Sequence, residues 1–454
     1  MKLLIKNGRV IDPSQNIDQI AHILVAEGIV QQIIPADDSF ADIEDARIVD
    51  AAGMWVVPGF IDTHVHLREP GMEYKEDIKS GCESAAAGGF TGLCSMPNTK
   101  PFTDTAETVE YILQKASEAN GVKIYPSACI TLDQAGKELT DMEALKAAGA
   151  CGFSEDGKSV MDLRVMRKAM QAAKALDMPI LDHTEQAELV LGGCMNKGVY
   201  SELAGVKGIA SEVEEMMTIR DILLAKETGC RLHLQHISKS GSFDVIRMAK
   251  SWGLEVTSET APHYFTLTDK DVVVMAPGEG DAEAVAATKH HYTVTENGAV
   301  VDSHKKMNPP LGDFKDVHAT LRAIMDGTVD CIATDHAPHA AEEKARPLQN
   351  APFGVTGLET SFAVSYTELV KKHYITPMRL IELMSTNPAK ILGVAGGTLA
   401  PGACADIAVI DIEKEWVVPE EGFKSKAVNT PFAGRKVCGE VVMTVADGKV
   451  IYER

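Results

Sequence analysis

The chain has 454 residues, 45% hydrophobic and 24% charged, which is ample apolar material for a large core and an ordinary globular balance. A formal net charge of -21, with no basic cluster to offset it, argues against nucleic acid as a partner. Nine scattered cysteines without a CxxC pair suit reduced thiols in a cytoplasmic protein, and no apolar run is long enough to span a membrane.

The opening MKLLIKNGRVID is interrupted at Lys6 and Asn7, so it is expected to be a strand and not a leader. Short alternating runs follow it (HILVAEGIVQQII, ARIVDAAGMWVV), and the C-terminal end repeats the pattern in DIAVIDIEKEWVV and VVMTVADGKVIYE. Asp447-Gly448 in the last of these is a hairpin signal. Between the two ends a strand-then-helix rhythm repeats. Strands are predicted at Val57–His64, Thr91–Met96, Lys123–Ile130, Cys151–Ser154, Pro179–His183, Arg231–His236, Glu255–Ser258 and Val329–Thr334. Amphipathic helices are predicted at Thr105–Ala119, Asp162–Leu176, Glu212–Glu227 and Phe314–Met325. The pattern predicts an α/β fold: a (β/α)8 TIM-type barrel over 57–396, with a small β-sandwich domain formed by both termini, 1–56 and 397–454. A doubly wound open sheet is the rival, but no GxGxxG follows a strand. One polar stretch, 275–305, breaks the rhythm; a loop of that length is usually functional or disordered, and His290 and His291 within it are expected to be solvated.

The chemistry-bearing residues fall at the C-terminal ends of the predicted strands, where barrel enzymes keep their active sites. In PGFIDTHVHLREPG, residues 58–71, period two turns His64 and His66 to one face, and Arg68 continues on it. Two imidazoles so placed can grip one metal ion, and arginine is the side chain best shaped to fork a carboxylate. The second strand ends at Asn98, the fourth runs into Glu155 and Asp156, the fifth ends at His183, the sixth at His236, and the eighth gives Asp335 and His339. Taken singly, each has a plain structural reading. His233 and His336 are turned away by period two and are left out. Together, His64, His66, Asp156, His183, His236 and Asp335 are enough for two divalent ions bridged by a carboxylate, with Zn2+ the first choice and Mn2+ or Co2+ as substitutes. Asp335 is the candidate catalytic base, and Arg68, Asn98 and His339 the candidate carboxylate holders. These parts predict metal-assisted hydrolysis of an amide or ester in a small anionic molecule.

The same segments resemble the amidohydrolase superfamily and, within it, the class I bacterial-type dihydroorotases. Nearly the whole chain takes part, through GGFTGLCSMPNTKP (88–101), GFSEDG (152–157), ETAPHYFTLT (259–268), MNPPL (307–311), IATDHAPH (332–339) and FGVTGLET (353–360). The resemblance implies reversible interconversion of L-dihydroorotate and N-carbamoyl-L-aspartate in pyrimidine (UMP) biosynthesis. It also implies one or two Zn2+ per chain, with Asp156 shared between them, and Asn308 contacting the substrate ring. Asp156 is preferred to Glu155 because the family spacing to the fifth-strand histidine is 27, and 183 − 156 = 27. Three departures stand out. Ser154 lies where many superfamily members carry a bridging carboxylated lysine, Glu155 replaces an aspartate, and Gly312 replaces an arginine beside an insertion. Two other readings stay open at this point: a dihydropyrimidinase, hydantoinase or allantoinase, and a non-catalytic partner of aspartate transcarbamoylase. The sequence does not decide whether the chain forms a homodimer or joins a transcarbamoylase.

Overall fold

The computed structural model describes residues 2–36 and 45–454. At its centre eight parallel strands follow one another in chain order: Phe60–Val65, Phe90–Ser95, Lys123–Cys129, Gly152–Ser154, Ile180–Asp182, Leu232–Leu234, Val256–Thr260 and Cys331–Ile332. The ring is closed by the pairing of Val65 with His336, whose carbonyl accepts from the His66 amide at 2.8 Å. The strand expected over Val57–His64 is divided in two. Trp55–Pro58 pairs in the terminal sheet and Phe60–Val65 opens the barrel. Between them, Gly59 lies so close to Thr91 that a Cβ would come within 2.3 Å of its hydroxyl, so the chain can cross here only without a side chain.

Helices cover the barrel because one face of each is apolar. Leu163–Ala175 buries Met166, Ala169, Met170 and Ala173, the spacing of one helical face. Thr105, Asp162 and Asp313 cap three of the helices by accepting backbone amides of the first turn. Phe60, Phe90, Phe153, Ile180, Leu232, Phe243 and Ile332 are among the fully buried side chains of the core between strands and helices.

Strands from both ends form one further eight-stranded sheet, in which Ile407–Val417 pairs with Trp55–Pro58 and with Lys436–Ala446. The sheet curls on its own core of Leu3, Ile5, Ile23, Val56, Ile407 and Val445, and Val30 closes the curl by hydrogen bonds with Ala403 and Gly402. Asp447 and Gly448, both at positive φ, make the hairpin turn before Lys449–Glu453. On these pairings we propose a division into a terminal β unit, 1–56 with 397–454, and a barrel, 57–396, with Trp55–Pro58 crossing the join.

The 275–305 stretch is structured. Val273–Met275, Tyr292–Val294 and Val300–Asp302 pair into a small antiparallel sheet, with a short helix, Ala282–Ala286, beside it. The expectation of solvated histidines holds for His290 and is corrected for His291. The His291 ring is buried, stacks on His304 at 3.7 Å and donates to Asp302 Oδ1 at 2.7 Å. No helix among the described residues is long and apolar enough to cross a membrane.

Lys123, at the start of the third strand and so at the end away from the mouth, ties the two units together. Its ammonium lies 2.7 Å from Asp406 and 3.0 Å from Asp447. Lys123→Met leaves a buried carboxylate without its partner, and the expected cost is roughly 2–3 kcal/mol in urea unfolding. Unchanged stability would show that the junction does not depend on this lysine.

Candidate active site

The first strand delivers two imidazoles to the mouth. His64 Nδ1 donates to Glu259 Oε1 at 2.8 Å, which leaves Nε2 facing Asp156 at 3.3 Å and Asp335 at 3.6 Å. His66 Nε2 lies 3.2 Å from Asp335 and 3.4 Å from Asp156, and its Nδ1 lies 2.9 Å from the Asn98 side-chain oxygen. Across the mouth, His183 Nδ1 stands 3.3 Å from Asp156 and 2.7 Å from His236 Nε2, itself 3.7 Å from Asp156. One carboxylate thus faces four imidazoles, and Asp335 faces two of them. His236 and Asp335 reach these positions through backbone at φ 39° and 48°, a left-handed bend for non-glycine residues that turns each strand end into the mouth.

The donor set fits a metal. All six side chains are buried, and every donor is nitrogen or oxygen, the chemistry that divalent zinc and its near neighbours take. His64 Nε2, His183 Nε2 and His236 Nδ1 are buried without a hydrogen-bond partner, an arrangement that is costly unless something else binds there. Two triplets converge tightly enough to share an ion: His64, Asp156 and His236; and His64, His66 and Asp335. Burial opposes charge on Asp156, but His64 and His66 outweigh it and hold the carboxyl well below its usual range. Burial likewise opposes charge on His183, and the neighbouring carboxylates of Asp156 and Glu185 outweigh it, lifting the imidazole to about 10. Without a metal, then, the site holds protons instead.

Beside the ligands lies a cavity of ≈180 Å³, walled by His66, Arg68, Asn98, Asn308, His339 and Gly354 among others. Arg68, at φ 63°, donates from Nε to the Pro338 carbonyl at 3.1 Å, and its guanidinium reaches His339 Nε2 at 3.2 Å. Among the described residues no carboxylate lies within salt-bridge distance of it, although it is buried. Burial lowers its pKa to about 10, so it stays positive at neutral pH. His339 is held neutral by burial and by the positive charge of Arg68; Lys75 donates to its Nδ1 at 3.1 Å. Asn308 lines the cavity with its amide on Glu185 at 2.5 Å.

The structure brings all ten sequence-predicted site residues to this mouth and keeps His233 and His336 out of it. His233 bonds Thr257 and Glu259, and His336 faces Glu76. Two of the departures have physical reasons. Glu155 accepts the Ile130 and Thr131 amides at 3.1 and 3.2 Å, so it pins the loop after the third strand while Asp156 faces the histidines. Gly312 backs onto Asp316, where a Cβ would come within 2.4 Å of Oδ2. Sequence reasoning missed Glu259 and Lys75. Glu259 accepts from His64, from His233 at 3.0 Å and from the His236 amide at 3.2 Å, so one carboxylate orients two opposed ligands. Its only signal was its place at the end of the seventh strand, in ETAPHYFTLT.

A closed parallel barrel carrying histidines and aspartates at its mouth, with a β unit from both termini, defines an amidohydrolase, and the comparisons agree. Residues 266–452 match the amidohydrolase family model, and residues 53–242 match the model described as dihydro-orotase-like. The chain belongs to the dihydroorotase family. The dihydroorotase of Syntrophus aciditrophicus (strain SB) is 43% identical over 453 residues, and that of Geobacter sp. (strain M21) 44% identical over 453, with 100% of each chain covered. Among solved structures, the L-hydantoinase (dihydropyrimidinase) from Arthrobacter aurescens superposes with a TM-score of 0.83 at 25% identity, over 99% of this chain and 96% of that one. The dihydropyrimidinase from Brevibacillus agri NCHU1002 gives 0.80 at 22%, over 100% of this chain and 95% of its own, and shares the fold.

Two outcomes follow from this geometry. Glu259→Gln weakens the hold on His64, and metal affinity is expected to fall roughly 10–100-fold in competition with a chelator; unaltered affinity would remove Glu259 from this role. Because His183 is raised, a metal entering near neutral pH must displace protons, so affinity falls as pH is lowered. Calorimetry in buffers of different ionisation enthalpy is expected to record proton release, and its absence would contradict the protonated metal-free state.

Proposed function

We propose that this chain is a zinc-dependent dihydroorotase that interconverts L-dihydroorotate and N-carbamoyl-L-aspartate, a step of pyrimidine synthesis. The observation that carries the substrate reading is Arg68, a buried cation with no carboxylate within salt-bridge distance among the described residues, facing a small cavity beside a metal-capable cluster. Full-length likeness to dihydroorotases supports the same reading. His64, His66, Asp156, His183, His236 and Asp335 would hold one or two Zn2+, with Asp156 between them in place of the superfamily's lysine. Zinc there would supply an acidified water and polarise the ring carbonyl.

The rest belongs to the chain's own side chains. Arg68 and Asn98 bind the substrate carboxylate, and neutral His339, whose Nδ1 accepts from Lys75, turns its Nε2–H to the same carboxylate from the Phe353 carbonyl 2.8 Å away. Asn308, which lines the same cavity, contacts the ring. Asp335, kept ionised by His64 and His66 against its burial, accepts the attacking water's proton and passes it to the leaving ring nitrogen. Ring closure runs the same groups in reverse. The nine free thiols support a reducing, cytoplasmic setting.

A hydantoinase-type reading is favoured by the solved structures of similar shape, but Ser154 bonds Gln235 at 3.3 Å where the bridging lysine would sit, and Arg68 asks for a carboxylate that hydantoin lacks. The non-catalytic reading is disfavoured by a complete ligand set. Steady-state assays on dihydroorotate, dihydrouracil and hydantoin, with zinc counted per chain, separate these readings. Asp335→Ala is expected to lose on the order of 1,000-fold in kcat. Arg68→Met is expected to raise KM for dihydroorotate on the order of 100-fold. Faster turnover of hydantoin than of dihydroorotate, or full activity in Asp335→Ala, would overturn the assignment.

A further inference from the structure

Two buried lysines, which the proposed reaction does not use, stand behind the wall that carries His339 and Asn308. Lys344 is 0% exposed, and its Nζ lies 3.2, 3.1 and 3.0 Å from the carbonyl oxygens of Lys306, Pro352 and Gly354. Lys306 is also buried. Its Nζ donates to the Leu348 and Ala351 carbonyls, both at 2.6 Å, and lies 4.3 Å from the centre of the Phe353 ring. Among the described residues, neither lysine has a carboxylate within salt-bridge distance. Burial and the neighbouring Lys306 lower Lys344 to about 7, but three carbonyls at hydrogen-bond distance suit the ammonium, the only form with three N–H donors. A methionine would fill the same space without burying an amine, so packing alone does not account for Lys344.

We propose that Lys344 is a positioning residue for substrate binding: its ammonium locks the segment leading to Asn308 onto the loop of Phe353 and Gly354, and so fixes where His339 stands. This rests on the reading of Asn308 and His339 as substrate contacts. The Pro352 and Gly354 carbonyls belong to the peptide units on either side of Phe353, so holding both orients the Phe353 carbonyl between them. That carbonyl is the resting partner of His339 Nε2, at 2.8 Å. Gly354 also presses on the imidazole, since a Cβ there would come within 3.0 Å of His339 Nε2 and 2.7 Å of the Ala337 carbonyl. The loop cannot advance on His339, and Lys344 keeps it from drawing back. The third carbonyl, that of Lys306, also accepts the Gly354 amide at 3.0 Å and lies two residues before Asn308. Lys344 itself closes the short helix Ala341–Lys344 that follows His339. One side chain thus joins three stretches whose residues Asn308, His339, Phe353 and Gly354 line the catalytic cavity.

Steady-state kinetics and amide hydrogen exchange on the full chain, with zinc counted, test this together. Lys344→Met keeps the bulk and removes the donors. Its KM for dihydroorotate is expected to rise about tenfold, the weight of one hydrogen bond to the substrate carboxylate, with kcat within about twofold and zinc per chain unchanged. Exchange of the amides in 353–356 is expected to quicken about tenfold, while the strand Phe60–Val65 stays as protected as in wild type. Lys344→Gln keeps two N–H donors and is expected to fall between wild type and Lys344→Met in both readouts. It carries the test should Lys344→Met fail to fold. An unchanged KM, a loss confined to kcat, or loop amides no faster than in wild type overturns the proposal. A wild type that does not turn over dihydroorotate would instead remove the functional reading, and the exchange result would still decide whether Lys344 holds this wall.

Discussion

The Asp156 carboxylate is buried among four imidazoles, and much of the barrel mouth is arranged to keep it there. A carboxylate so placed needs positive charge close by, because burial alone would drive it to the neutral acid. Metal ions or imidazole protons can supply that charge, and the two compete for the same nitrogens. Three ring nitrogens without a hydrogen-bond partner tip the balance toward metal, since protons alone would leave buried donors unsatisfied. The requirement extends outward. Glu259 fixes the tautomer of His64, Asn98 bridges His66 and Asp156, and Glu155 pins the loop from which Asp156 projects.

Separation of charge explains how one mouth can hold a metal cluster and an anionic substrate. Arg68 and Lys75 gather around His339 at one wall of the cavity, with Glu343 3.0 Å from Lys75 behind them, while Asp156 and Asp335 lie at the ligand side. A substrate carboxylate therefore has one favourable wall, and its ring is directed toward the ligands. An acidic chain can bind an acidic substrate because the local field at this wall is set by a buried arginine that, among the described residues, has no carboxylate within salt-bridge distance.

The barrel was legible in the sequence because its signals are local: apolar runs of strand length, amphipathic helices between them, and polar residues at the run ends. Strand limits shortened where the chain turns into the mouth, as at His236 and Asp335, since a left-handed residue leaves the ladder while the apolar pattern continues. Glu259 was not legible, because its meaning depends on His64, 195 residues away, and a lone glutamate in a strand carries no periodic mark. Lys75 escaped for the same reason, its partner His339 being 264 residues distant. The small sheet at 273–302 was missed because its strands are three residues long and lie between polar turns. His291 could not be told from His290 by composition, as only the pairing of Tyr292–Val294 with Val300–Asp302 turns one inward.

The central claim, that a nitrogen-and-oxygen cage around Asp156 holds the metal, is tested most directly by X-ray absorption spectroscopy at the zinc edge of the loaded protein. The account predicts a first shell of nitrogen and oxygen at about 2.0–2.1 Å with imidazole scattering, and loss of that signature in Asp156→Asn. A sulfur shell at about 2.3 Å, or a spectrum unchanged by Asp156→Asn, would contradict it.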